Sequence, residues 1–472
     1  MNYGKVTPAV LEELRGIVGL GFVISGDPEA LEKYSHDEVK EIEYHHAPEA
    51  VVRPRTADEI ARIMKLANRE RVPVTPRGGG SGLSGGAVPV YGGIVLSLDR
   101  MNKIIEIDPA NMVAVVEPGV VTNELDAAAR EHGLCFAGYP MSLQSCFIGG
   151  NVAENAGGGK AVKYGVTGRY IIGLTVVTPE GEIAEFGGKL VKNVTGYDLI
   201  GLLTGSEGPL GIFTKIFVKL LPRPTRVVDL LVLFKDATAA IGIVPTIMAE
   251  AHVIPTAIEF MDRLCVKASC EYLNETIPYG DAGAMLLIEL DGNSKPQLDD
   301  EYEAVGELCM KHGAIEVYVA DNPTTMERIW SVRRNIAEAF MVVSPHQSLE
   351  DITVPIAAIP KIIPELERIS KIYDIQIPCY GHAGDGNLHA TPVKNPAHTL
   401  DQWHAMLPKI LTDLYQVTRK LGGVISGEHG IGNKRKQYMK YSVSPVSLDL
   451  MKRVKKALDP NSILNPGKIF ED

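Results

Sequence analysis

The stretch Pro76-Arg77-Gly78-Gly79-Gly80-Ser81-Gly82-Leu83-Ser84-Gly85-Gly86 decides how the first half of the chain is read. It removes the Cβ atom from most of one backbone segment. Such a segment can curl its N–H groups toward an anion and let a phosphate approach closely. Residues 80–85 match the G-x-G-x-x-G spacing of a dinucleotide-binding loop, but that loop must open a helix. Here Pro89 and Tyr91-Gly92-Gly93 lead into another β run. No Lys-Ser or Lys-Thr follows the glycines, so a nucleotide-triphosphate loop is excluded as well. Alone, the segment reads equally as an anion cradle or as a plain glycine-rich turn.

Upstream, residues 1–45 read as a helical, mostly polar lead-in, and residues 51–54 as a short strand. Thr56 and Glu59 then have capping-box spacing. Ile60, Ile63, Met64 and Ala67 fall on one helical face, which predicts a helix docked on a sheet. Residues 72–75 are the next strand, 93–98 and 112–116 are further β runs, and a helix starts near Thr122 with Leu125 and Ala129 on one face. Past Leu220-Leu221-Pro222-Arg223-Pro224 the glycines thin out. Longer amphipathic helices then alternate with single strands such as residues 284–290. A domain boundary is expected there.

Three more segments follow the glycine loop in order. They are Ile148-Gly149-Gly150-Asn151-Val152-Ala153-Glu154-Asn155-Ala156-Gly157-Gly158-Gly159, Lys192-Asn193-Val194-Thr195-Gly196-Tyr197-Asp198, and Thr204-Gly205-Ser206-Glu207-Gly208-Pro209-Leu210-Gly211-Ile212. With them the sequence resembles the FAD-binding domain of the vanillyl-alcohol-oxidase superfamily. It is similar in particular to the branch of D-lactate dehydrogenases, glycolate oxidase flavoprotein subunits and D-2-hydroxyglutarate dehydrogenases, over nearly the whole chain.

The resemblance implies an α+β protein. A two-subdomain FAD-binding domain is expected over residues 1–224, and an α/β substrate and metal-binding cap with an antiparallel sheet over 225–440. A C-terminal helix and tail, residues 441–472, would return to the first domain. It also implies that Arg77, Gly78, Gly79, Gly80, Ser81, Gly82 and Ser84 cradle the pyrophosphate. Met141, Ser142, Gly150, Asn151 and Gly158 would line the flavin, and Glu207, Ile212 and Asn465 would complete the cofactor site. Ser81 stands where some relatives carry a histidine joined covalently to FAD, so non-covalent FAD is expected.

In the second half, Tyr380-Gly381-His382-Ala383-Gly384-Asp385-Gly386-Asn387-Leu388-His389 carries a hairpin signal at Asp385-Gly386. A two-residue turn there sets His382 opposite His389, with Cβ atoms roughly 5 Å apart on one face. Such a pair suits one metal ion, or is simply two surface histidines. Residues 423–426 read as a short strand, and Gly427-Glu428-His429-Gly430 turns out of its end.

By the same resemblance His382, His389 and Glu428 hold a divalent metal and His429 is the catalytic base. Zinc, iron(II) and manganese all suit this donor set. The expected chemistry is loss of the α-hydroxyl proton to His429 and transfer of hydride from Cα to the flavin. Arg333, on a helix containing Trp330 and Ala337, matches the family arginine that pairs with the substrate carboxylate. Arg334 reads as a solvated surface residue.

Relatives acting on 2-hydroxyglutarate add a threonine, a lysine and an asparagine for a second carboxylate. Here those positions are Ala337, Leu349 and Thr391, and an unpaired carboxylate is costly to desolvate. A short monocarboxylate is therefore expected, with D-lactate preferred over glycolate.

The formal net charge of −11 argues against nucleic acid as a partner. The six scattered cysteines lack iron–sulfur spacing, and no apolar run approaches the ~18 residues of a membrane span. A cytoplasmic protein is expected, handing electrons to electron-transferring flavoprotein. The alternatives are the flavin subunit of a glycolate oxidase and a flavin-carrying relay without its own turnover. The alkyl-glycerone-phosphate synthase type, which shares the flavin domain, does not call for this metal set.

Overall fold

The computed structural model describes residues 2–138 and 140–471, which divide into two compact units. The first comprises residues 1–157, 166–223 and 428–472, and the second residues 158–165 and 224–427.

The first unit holds two larger sheets and a two-stranded pair of Leu134–Cys135 with Leu221–Pro222. In one, β1 (Val23–Ser25), β2 (Ala50–Val52), β3 (Val74–Arg77) and β4 (Ile94–Ser97) run in the order β1-β2-β4-β3. β4 is parallel to both β2 and β3. Helices α1 (Pro8–Val18) and α2 (Ala57–Glu70) share one core with this sheet. Ile60, Ile63, Met64 and Ala67 of α2 are all fully buried, as the 3.6-residue period requires. The Thr56 hydroxyl accepts from the Glu59 N–H, but the Glu59 carboxylate reaches one residue past the cap, to the N–H of Arg55. The other sheet is antiparallel, with β5 (Ile104–Asp108), β6 (Val113–Val116), β7 (Ile171–Val177), β8 (Ile183–Gly187) and β9 (Ile212–Lys219) in the order β5-β6-β9-β7-β8. Helices α3 (Thr122–Arg130) and α4 (Ile148–Glu154) also belong to the unit, as does the C-terminal helix Pro445–Leu458.

The second unit is built on one antiparallel sheet of seven strands. These are β10 (Arg226–Phe234), β11 (Ala257–Asp262), β12 (Ala284–Gly292), β13 (Ala314–Ala320), β14 (Glu350–Thr353), β15 (Cys379–His382) and β16 (Asn387–Ala390). Their order is β13-β10-β12-β11-β15-β16-β14. The Trp330–Ala337 stretch spans two helices, α5 (Pro323–Arg334) and α6 (Ile336–Val343), which meet at Asn335.

Three local expectations are corrected. The His382/His389 ribbon closes through four residues, because Ala383–Asp385 forms a 3₁₀ turn and Gly386 follows at φ +86°. His382 therefore faces Asn387, and His389 faces Tyr380. The shift moves each partner by two, so alternation is preserved and both imidazoles stay on one face. Residues 423–426 form isolated bridges from Val424 to Thr353 and from Ser426 to Asp351 instead of a strand. Finally, the second unit ends at Gly427, short of 440. Residues 428–440 join the first unit because Ile431 and Gly432 donate to Glu207, and Asn433 and Lys434 donate to the Ser84 carbonyl. Conversely, residues 158–165 belong to the second unit, where Lys160 pairs with Glu289 and Lys163 with Asp291.

Candidate active site

In the first unit the glycine loop lines a cleft with about 1300 Å³ of atom-free space, part of it open to solvent. Gly78, Gly79, Gly80, Ser81 and Gly82 form one wall; Met141, Ser142, Gly150, Asn151, Glu207 and Ile212 contribute elsewhere, and Glu428 and His429 lie on it too. The loop runs from β3 toward β4 without opening a helix. Gly80, at φ +75°, leaves no space for a side chain: a Cβ would stand 2.1 Å from Arg77 Nη2. Arg77 lines the cleft as well. Its guanidinium donates to the carbonyls of His36 and Lys33, at 2.7 and 3.1 Å, and so supports the loop from beneath.

Acidic side chains tie this frame together. Asp37 accepts from the Gly85 N–H at 2.7 Å, and Glu207 accepts from Ile431 and Gly432 at 2.8 and 2.6 Å. Burial raises the pKa of Asp37, Glu154 and Glu207. Two expected cofactor residues stand behind the wall. Ser84 presents its carbonyl to Asn433 and Lys434, and Asn465 donates to the carbonyls of Gly86 and Glu207. Gly158 lies in the second unit, not on this cleft.

Glu428 and His429 are adjacent in the returning segment. Glu428 Oε1 lies 3.8 Å from His429 Nε2, and a Cβ on Gly157 would meet Glu428 Oε2 at 2.9 Å. A glycine-walled cleft bordered by a carboxylate and an imidazole suits a phosphate-bearing cofactor with an acid–base group beside it.

In the second unit two rows of side chains cross one face of the sheet. The first is Thr353, Asn387, His382 and Glu259; the second is Asp351, His389, Tyr380 and Met261. The His382 and His389 rings lie at 85° with centroids 5.4 Å apart, and His389 stacks on Tyr380 at 5.1 Å. Two imidazoles so disposed fit the nitrogen half of a divalent-metal donor set. His382 Nδ1 lies 2.6 Å from Glu259 Oε1, and Arg333 Nε donates to Glu259 Oε2 at 2.6 Å. Burial raises the Glu259 carboxyl, but the charges of Arg333 and His382 overcome it and bring it down to about 2. Asp351 takes hydrogen bonds from Asn387 Nδ2, Ser426 Oγ and the Gly427 N–H, which fixes the chain just ahead of Glu428. Arg334 is partly exposed and pairs with Glu327.

Glu259 and Asp351 escaped the sequence reading. Glu259 lies inside an apolar run, Ala257-Ile258-Glu259-Phe260, and Asp351 follows Glu350 at the head of Ile352-Thr353-Val354; both are fully buried. A charge in a strand of that kind must be paired, and that was the available signal.

A family model described as FAD linked oxidases, C-terminal domain, matches residues 223–469, and one described as FAD binding domain matches residues 48–187. The chain belongs to the FAD-linked oxidases. As a FAD-linked oxidase it is 40% identical over 437 residues to glycolate oxidase subunit GlcD of Bacillus subtilis (strain 168), covering 93% of this chain and 92% of that one. It is 37% identical over 473 residues to the D-lactate dehydrogenase of Anaerostipes hadrus, covering 99% and 98%. The solved structure of p-cresol methylhydroxylase with substrate bound matches with a TM-score of 0.79 at 20% identity, over 98% of this chain and 96% of that one. That identity speaks for the fold alone, and the fold is the expected α+β architecture of this FAD-linked oxidase.

Proposed function

We propose that this chain oxidises a short D-2-hydroxy acid, D-lactate foremost, to the 2-oxo acid, with non-covalent FAD and a divalent metal held by His382, His389 and Glu428. The observation that carries this reading is the polar inlay on the second unit's sheet, where two imidazoles lie on one face and one of them, His382, shares the Glu259 carboxylate with the buried Arg333 of helix α5. The names of the two relatives, a D-lactate dehydrogenase and a glycolate oxidase subunit, support the substrate class.

When bound, FAD supplies the acceptor for the two electrons and the metal supplies the positive charge that favours ionisation of the α-hydroxyl. Arg333 binds the substrate carboxylate. One oxygen of Glu259 occupies one edge of a fork with five N–H donors, which leaves it capacity for a second anion. His429 takes the hydroxyl proton on an imidazole nitrogen. Ala337, Leu349 and Thr391 offer no charge to a distal carboxylate, which favours lactate over 2-hydroxyglutarate. Electrons then pass to electron-transferring flavoprotein. In support, none of the six cysteines is disulfide-bonded and none has cluster spacing, and no helix among the described residues is long and apolar enough to cross a membrane.

A second reading, a glycolate oxidase flavin subunit, is favoured by the GlcD relative. Anaerobic mixing with D-lactate, L-lactate, glycolate and D-2-hydroxyglutarate tests both. D-Lactate is expected to bleach the flavin fastest. Faster bleaching by glycolate selects the second reading, and no bleaching by any of the four rejects both.

A further inference from the structure

We propose that Glu259 is a positioning residue that couples the two working groups of the second unit, with one carboxylate oxygen orienting His382 and the other orienting Arg333. The inference rests on the reading above, in which His382 is a metal ligand and Arg333 the substrate anchor.

The local fold makes this junction. Glu259 on β11 stands directly opposite His382 on β15, so both side chains leave the same face of the sheet. Oε1 lies 2.6 Å from His382 Nδ1. Oε2 accepts from Arg333 Nε at 2.6 Å and lies 2.6 Å from Nη2. All three side chains are almost wholly removed from water, at 0%, 2% and 4% exposure for Glu259, His382 and Arg333. A flexible surface pair would not hold a geometry, but this one is closed in. Gly159 abuts it so closely that a Cβ there would lie 2.8 Å from Glu259 Oε1 and 3.7 Å from His382 Nδ1.

The contacts also form a closed circuit. The Arg333 guanidinium carbon sits 5.0 Å from the centre of the Tyr380 ring, Tyr380 stacks on His389, and His389 meets His382 edge to face. Each member therefore packs against two others of the ring. A carboxylate at Nδ1 places the proton there and leaves Nε2 as the electron-pair donor toward an ion. The same carboxylate balances the arginine's charge, so that the guanidinium can be buried in one orientation before any substrate arrives. Among the described residues nothing comparable joins Asp229 to the histidines, although it is buried on the same sheet and holds the same helix, α5, by accepting from Trp330 Nε1 at 2.9 Å.

The test uses the full-length holoprotein and Zn(II), with affinity measured by competition against a chelator. Wild type is measured first. Failure to hold Zn(II) would reject the metal site itself, and this inference with it, before any variant is made. With binding established, Glu259→Gln is expected to weaken Zn(II) by about 10–100-fold and to raise KM for D-lactate more than it lowers kcat. FAD content should stay at one per chain. Glu259→Asp keeps the charge that Arg333 needs but withdraws it by one methylene, and should weaken Zn(II) in a protein with wild-type circular dichroism. Asp229→Asn is the control and should leave Zn(II) affinity unchanged. Wild-type Zn(II) affinity in either folded Glu259 variant overturns the inference. Independently of any variant, ¹⁵N-histidine NMR of the Zn(II)-loaded wild type should show His382 protonated at Nδ1; coordination through Nδ1 would overturn it as well.

Discussion

The two units make their sites from different materials. In the first, backbone does the work: the wall of the cleft is a run of glycines, and buried carboxylates such as Asp37 and Glu207 serve mainly to hold loop N–H groups in place. In the second, the backbone is a regular antiparallel sheet and the site is a pattern of side chains inlaid on one face. The difference decides what a substitution does. On the cleft, an added methyl group acts through space it denies to a ligand or to a neighbour. On the sheet, a changed polar atom acts through the partners it abandons.

The largest effect is expected at His429, the proposed base. His429→Ala should retain FAD while slowing flavin reduction by D-lactate by ~10²–10⁴-fold, read by anaerobic stopped flow. A comparably fast variant would place the base elsewhere.

The glycines then sharpen the contrast within the first unit. Gly430, at φ +85°, would set a Cβ 2.1 Å from Glu154 Oε2, whereas a Cβ on Gly150 meets no protein atom within 4 Å. Gly430→Val should lower the stability of the apoprotein by at least the ~1–3 kcal/mol of a strained backbone, seen as a drop in Tm. Gly150→Ala should leave the apoprotein at least as stable, since alanine suits a helix better, yet weaken FAD by about tenfold. Equal effects of the two on the apoprotein would break the distinction.

A buried acid on the sheet supplies a pH test. Burial, reinforced by the facing Glu289, pushes Asp229 up to about 8. A carboxyl whose folded pKa lies above its unfolded value gives its full stabilisation below about 3.8 and loses it as pH rises toward 8. Asp229→Asn should flatten this slope and raise stability at pH 8 by on the order of a kcal/mol or more. The smallest effect is at a cap: Thr56→Ala should cost about 1 kcal/mol in denaturant unfolding, with flavin reduction unchanged.

Legibility in the sequence follows the same divide. The α2 helix face, the refusal of the glycine loop to open a helix, and the strands around it could be read because periodicity and Cβ-free runs are local signals. The histidine ribbon was recognised but its register was not, since the 3₁₀ turn at Ala383–Asp385 depends on where neighbouring strands hold its ends. Glu259 and Asp351 were missed because their meaning is wholly non-local: Glu259 meets partners 74 and 123 residues away. The extent of the returning segment was equally hidden, being fixed by Glu207 and Ser84 far upstream.

The central claim is that oxidation of the hydroxy acid needs a metal on the second unit's inlay as well as the flavin. It is tested most directly by anaerobic reduction of the flavin with D-lactate in one preparation before metal removal, after chelation, and after Zn(II) or Mn(II) is restored, with FAD content followed throughout. Rapid bleaching is expected first, then almost none with FAD still bound, then recovery on adding metal. Bleaching at an unchanged rate in the metal-free, FAD-loaded protein would contradict it.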